Sequence, residues 1–195
     1  MISAILLAAG ESRRMGDFKQ LLPFQGKTFV ECCVDNLLET SVDEIIVVTG
    51  HRQAEVRQVL ENRPVKVAFN ADFHMGMSSS IQCGIQSLDE KTTAILIALA
   101  DQPHIHSSII SKVIAAYQSE HPLIVVPVYT SHRGHPIILD IKLRQEILAI
   151  DPAEGLRQIV QAHKEQVFYL EMTNDSILLD FDYPQDYQKF LAQEG

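Results

Sequence analysis

Cationic residues are scarce in this sequence: sixteen Lys and Arg stand against twenty-five Asp and Glu, a formal net charge of −9. Proteins that bind nucleic acid or anionic membranes carry a basic field, so this balance argues against both, and any anionic substrate must meet local positive charge. Cysteine is sparser still. Cys32, Cys33 and Cys83 include an adjacent pair and no CxxC, which gives neither a disulfide framework nor a zinc site and points to a reducing, cytoplasmic setting. Long apolar runs are missing too. The run at residues 4–9 has no basic segment before it, and Glu11, Arg13 and Arg14 follow at once, so it reads as a buried first strand rather than a signal-peptide core. No other run approaches the roughly 20 residues needed to span a bilayer. Repeats, low-complexity tracts and Pro/Gly-rich linkers are also lacking, and 195 residues at 46% hydrophobic composition suit one well-buried core. The expectation is a single domain over 1–195.

Ile2–Leu7, Ile45–Thr49, Val65–Phe69, Ala94–Leu99 and Leu123–Val126 are short apolar runs rich in β-branched residues and without alternation, the pattern of central parallel strands. Between them lie stripes of helical period: Val30, Cys33, Val34, Leu37 and Leu38; Ile81, Ile85 and Leu88; Ile110, Val113, Ile114 and Tyr117. The last third predicts a strand over His135–Leu139, helices over Ile141–Ala149 and Ala153–Ala162, a strand over Val167–Leu170 and a closing helix over Tyr183–Ala192. Strand and helix alternate, so the fold class is α/β: a three-layer, Rossmann-like, open and mostly parallel sheet with helices on both faces. In such sheets ligands bind beyond the carboxyl ends of the strands, where the strand-to-helix loops gather.

The residues that follow strands carry the chemistry. Leu7-Ala8-Ala9-Gly10-Glu11-Ser12-Arg13-Arg14-Met15-Gly16-Asp17-Phe18-Lys19 joins small residues, which let backbone N–H groups approach a ligand, to three cations, a phosphate-binding composition. It is neither a GxxxxGK[ST] loop nor a GxGxxG fingerprint, and a solvated turn with surface arginines has the same composition. Asp101 follows the apolar strand Ala94–Ala100 directly and precedes Gln102-Pro103; a carboxylate there suits magnesium, which takes one or two carboxylates together with substrate phosphates. Near the end, Asp180 and Asp182 fall on the same side of an extended segment, and Pro184 is placed to open the last helix. Gly76-Met77-Ser78-Ser79-Ser80 leads into a helix, so hydroxyls and free N–H groups converge there, as they would in a plain serine-rich helix cap.

The first loop resembles the LAAGxSxRMGxxK signature of the MobA-like nucleotidyltransferases, in particular their molybdenum cofactor cytidylyltransferase branch. Leu-Ala-Asp101-Gln-Pro resembles that family's LxDQP, Thr49-Gly50-His51 its TGH element, and Asn70 to Ser80 its NPxxxxGMxxS with Ala71 for the proline. Arg133-Gly134-His135-Pro136 is similar to its RGHP, and Asp180 to Asp186 to its DIDTPED ending. Gly155 and Arg157 remain of a more divergent Gly-Asp-x-Gly-x-Arg. The resemblance implies a fold of the nucleotide-diphospho-sugar transferase type. It also implies contacts from Leu7, Ala8, Ala9, Gly10, Thr49, Gly50, Ser79 and Ser80 to a nucleotide. Arg14 and Lys19 would lie on the triphosphate, Asp101, Asp180 and Asp182 on Mg2+, for which Mn2+ could substitute, and Arg133, His135 and Arg157 on the acceptor side.

The reaction so implied joins CTP to a molybdopterin-type acceptor with release of pyrophosphate, with transient contact to a molybdoenzyme or its chaperone as a further partner. Three alternatives stay open: GTP as donor, a sugar or alcohol phosphate as acceptor, and a delivery protein with little turnover. The β-carbon of Ala9, where the guanylyltransferase branch has glycine, speaks against a purine. His74, His104, His106, His121, His132 and His163 form no dense metal-ligand set and read as surface or loop residues, and Cys83 reads as core.

Overall fold

The computed structural model describes residues 1–188 apart from Arg13, Pro152, Ala153 and Asp182. The chain runs β1 (Ile2–Ala8), a short hairpin of β2 (Pro23–Phe24) and β3 (Lys27–Thr28), α1 (Phe29–Leu38), β4 (Glu44–Thr49), α2 (Gln53–Val59), β5 (Lys66–Phe69), α3 (Met77–Gln86), β6 (Ala94–Leu99) and α4 (Ser107–Glu120). It continues through β7 (Ile124–Tyr129), β8 (His132–Arg133), β9 (Ile137–Asp140), α5 (Arg144–Leu148), α6 (Leu156–Ala162) and β10 (Val167–Glu171). One mostly parallel, mixed sheet has the order β10-β7-β9-β6-β1-β4-β5, with β8 paired to the edge of β7.

β1 is central because every residue from Ser3 to Leu6 is fully buried, and successive side chains feed opposite cores. Ala4, Leu6 and Ala8 pack into the layer built by α1, α2 and α4; Ile5 and Leu7 pack into the layer of α3, α5 and α6. The continuous apolar runs are therefore two-sided strands, as read from sequence, except Val65–Phe69: β5 is parallel but stands at the sheet edge, with Lys66 and Phe69 exposed. β9 runs opposite to both neighbours, β6 and β7, which keeps β7 itself parallel to the rest. α1 starts at Phe29, one residue before its apolar stripe, because Thr28 and Glu31 form a reciprocal capping box.

Differences from the sequence reading are local. α2 was not read as a helix: only Val56, followed by Leu60, reaches the core from it. The helix expected over Ile141–Ala149 is a 3-10 turn at Ile141–Leu143 followed by α5, and that expected over Ala153–Ala162 starts at Leu156. β9 begins two residues later than expected, after the cis His135–Pro136 peptide. Of the closing helix expected over Tyr183–Ala192, Tyr183 is a bend, 184–188 are helical and 189–192 lie outside the described residues. A third apolar cluster joins Met15, Phe24, Phe29, Cys32 and Phe181, with Tyr187 at its margin, and docks the tail against α1 and the β2–β3 hairpin. No helix among the described residues is long and apolar enough to cross a membrane.

Candidate active site

β1 and β6 pair in parallel register up to Leu7 and Leu99, so the loops that leave them open on one edge of the sheet. A cavity of about 510 Å³ lies there, lined by Leu7, Ala9, Gly10, Arg14, Lys19, Ser80 and Asp101 among the residues expected from sequence. Glu11 and Ser12 of the first loop and Gly76 and Met77 of the serine-rich segment also line it; Gln20, Phe73, His74 and Leu99 complete it and were not anticipated.

The first loop is tied at both ends. Ser12 Oγ accepts from Lys19 N–H at 3.0 Å and donates to Gln20 Oε1 at 3.2 Å, and Gln20 Nε2 donates to the Gly10 carbonyl at 3.1 Å. Met15 and Phe18 bury their side chains beneath the loop, while Arg14, just before Met15, is exposed. Gln20 is thus a buried polar residue whose role is to hold the loop's shape. Its only sequence signal was its place directly after the last cation.

Lys19 Nζ lies 3.0 Å from Asp101 Oδ2, the side chains 11% and 27% exposed. A largely buried ammonium requires a paired anion, and the carboxylate supplies it. The ammonium stands where a cation would meet Asp101, so this carboxylate fits a hard divalent ion whose remaining ligands come from phosphate oxygens. Among the described residues no group of three or more His, Cys, Asp or Glu side chains could hold a metal unaided. Asp180 is exposed two residues after the 3-10 turn Asp175–Leu178 and is not among the residues that line the cavity; Asp182 lies outside the described residues.

Other expected residues stand behind the cavity. Ala8 and Thr49 are fully buried, and Thr49 donates its hydroxyl to the Ala68 carbonyl at 3.2 Å. At Gly50 a β-carbon would stand 2.6 Å from Phe73 Cβ and 2.8 Å from the Ala9 carbonyl oxygen, so only glycine lets this turn support the first loop. Ser79 hydrogen-bonds to the carbonyls of Asp72 and Gly76 and accepts from Asn70, which also donates to Ser80. Gly76 and Met77 bring the N-terminus of α3 to the cavity with no side-chain cap, and that positive helix end suits an anion.

None of the three acceptor-side candidates lines the cavity. His135 is half-buried; burial pushes its imidazole below the usual range, and the nearby charge of Asp101 partly restores it. Arg133 is exposed, its guanidinium 5.5 Å from the centre of the Tyr169 ring and bonded to the Tyr169 hydroxyl at 3.1 Å. Arg157 is exposed in the first turn of α6. Burial raises the thiols of Cys32, Cys33 and Cys83, which keeps them protonated. His104 corrects the sequence reading: it is 5% exposed, with Nε2 3.0 Å from the Ser176 carbonyl and its ring edge-on to Phe181.

Residues 4–167 match the family model described as the MobA-like NTP transferase domain. The nicotine blue oxidoreductase of Paenarthrobacter nicotinovorans is 27% identical over 97% of this chain and 96% of its own length. The molybdenum cofactor cytidylyltransferase of Escherichia coli K12 is 25% identical over 95% of this chain and 93% of its own. A solved nucleotidyl transferase from Methanothermobacter (Mth528) superposes with a TM-score of 0.84 at 26% identity, covering 99% of this chain and 97% of the other.

Proposed function

Since the chain belongs to the MobA-like NTP transferase family, we propose that it transfers CMP from CTP to the phosphate of a molybdopterin-type cofactor and releases pyrophosphate. The observation that carries this reading is the buried Lys19–Asp101 pair in a cavity between the carboxyl ends of β1 and β6. A triphosphate brings the anion Lys19 needs, and the metal that travels with it brings the cation Asp101 needs. One substrate complex therefore satisfies both charges at once.

In this reading Leu7, Ala9 and Gly10, backed by Ala8, Thr49 and Gly50, take the base and ribose, while Ser79 and Ser80 shape the loop opposite. Arg14 and Lys19 grip the triphosphate and neutralise the charge that builds on the departing pyrophosphate. Asp101, with Asp180 and Asp182, would hold magnesium, for which manganese could stand in. When bound, the ion supplies charge neutralisation on the phosphate oxygens. The acceptor, with Arg133, His135 and Arg157 on its side, presents a phosphate oxygen in line with the α-phosphorus. The new P–O bond forms as the bond to pyrophosphate breaks. A phosphate monoester is already ionised at neutral pH, so positioning and charge compensation suffice and no strong base is required.

Pyrophosphate release with magnesium and molybdenum cofactor, offering CTP, GTP, ATP and UTP in parallel, tests the proposal. A strong preference for CTP is expected. Equal or better use of GTP would transfer the donor assignment to guanine. Release only with a sugar or alcohol phosphate would change the acceptor. Release with none, alongside tight cofactor binding, would favour delivery. The similarity to nicotine blue oxidoreductase supplies one further arm, since an oxidoreductase would consume a reduced cofactor and release no pyrophosphate.

A further inference from the structure

Asp101 and Asp180 are 79 positions apart in sequence, yet their neighbours meet: Gln102 Nε2 donates to the Leu179 carbonyl at 2.8 Å. The path from one carboxylate residue to the other is a peptide bond, one side chain, one hydrogen bond and a second peptide bond. Gln102 is 6% exposed, and a buried amide N–H that lost this acceptor would be costly.

Three further contacts hold the same segment. His104 Nε2 lies 3.0 Å from the Ser176 carbonyl. His135 N–H donates to the Ile177 carbonyl at 3.4 Å, and a β-carbon on Gly134 would stand 2.3 Å from that oxygen. Beyond Asp180, Phe181 is buried against Phe29 at 5.2 Å between ring centres. Asp180 is therefore exposed between two fixed neighbours, Leu179 and Phe181.

The geometry points to Gln102 as a positioning residue of the metal site, acting through the backbone of Leu179 to fix the acidic tail relative to Asp101. This rests on the metal role given above to Asp101 and Asp180. Residues that orient metal ligands without touching the ion typically govern 10- to 100-fold in affinity, so the loss should be read in metal binding before it is read in the fold.

Gln102→Met keeps the volume and removes the donor; Gln102→Asn keeps the amide and withdraws it by one methylene. Mn2+ affinity of the protein–CTP complex, followed by electron paramagnetic resonance, is expected to fall roughly tenfold or more in both variants. KM for CTP at saturating Mn2+ should stay near wild type, as should the rate. Unchanged Mn2+ affinity in either variant, once it is shown to be folded, overturns the assignment. So does a loss of rate that saturating Mn2+ does not restore, or a wild-type protein with no Mn2+ site. A wild-type protein that binds Mn2+ with CTP yet releases no pyrophosphate overturns only the transferase reading, and the variants still decide the role of Gln102.

Discussion

Lys19 and Asp101 neutralise one another at 3.0 Å, and each is a group that a metal–nucleotide complex would claim. Metal alone must displace an ammonium from the carboxylate, and nucleotide alone must draw the ammonium away from its anion. Lys19→Met should therefore have opposite effects on the two ligands. It should lower kcat/KM for CTP by about 10- to 100-fold, the scale of a hydrogen bond to a charged group, and tighten Mn2+ binding measured without nucleotide. If Mn2+ binding weakened as well, Lys19 would not be competing for the Asp101 carboxylate. Asp101→Ala removes the carboxylate outright. It is expected to lower kcat by at least about 10²- to 10³-fold, the cost of losing one preorganised electrostatic partner, while far-UV circular dichroism stays that of wild type. Near-normal turnover in that variant would remove Asp101 from the metal assignment.

α1 carries an ion-pair network on its solvent side, where Arg63 grips Asp35 with two nitrogens, Nε to Oδ1 at 2.7 Å and Nη2 to Oδ2 at 3.1 Å. The hydrogen bonds from Arg63 hold the Asp35 carboxyl below its ordinary range. A folded-state pKa below the unfolded one means stability that is fully present above the unfolded value, about 3.9, and is lost as pH falls through the folded value. Asp35→Asn should cost about 1 kcal/mol at pH 7 in urea denaturation, the upper end for a surface pair, and the difference from wild type should shrink and vanish as pH falls from the unfolded value through the folded one. A gap that persists there would mean that Asp35 acts by packing. The elements that sequence revealed most cleanly are those whose burial is two-sided: β6 occupies Ala94–Leu99, the range its apolar run predicts. The hairpin at residues 23–28 and α2 escaped because their residues are mostly exposed, so period carries little information there. The reversal of β9 escaped for a different reason: an apolar run gives the same pattern in either direction.

Across the whole molecule, what the sequence disclosed of the site is what is local in sequence. The first loop, Asp101 and Ser80 converge because each directly follows or prepares a strand-to-helix junction on one edge of the sheet. What it concealed is long-range: the Gln102 to Leu179 bond, His104 against the tail, and the aromatic cluster that seats Phe181. The first two tie the loop after β6 to the tail and the third seats the tail against α1 and the β2–β3 hairpin, so the cavity and the tail should respond to ligands as one body. A net charge of −9 sharpens the point, since a bare triphosphate approaches an acidic protein whose buried cation is already neutralised by Asp101. Thermal unfolding should therefore shift little with CTP in EDTA and little with magnesium alone, and rise when both are present. At about 100 times the dissociation constant the ternary complex adds about 2.7 kcal/mol. For a chain of this size each kcal/mol moves Tm by about 2–4 °C, so the joint shift should be about 5–10 °C. A full shift from magnesium alone would mean that the ion does not have to displace Lys19. A full shift from CTP in EDTA would mean that the triphosphate is held without a metal on Asp101.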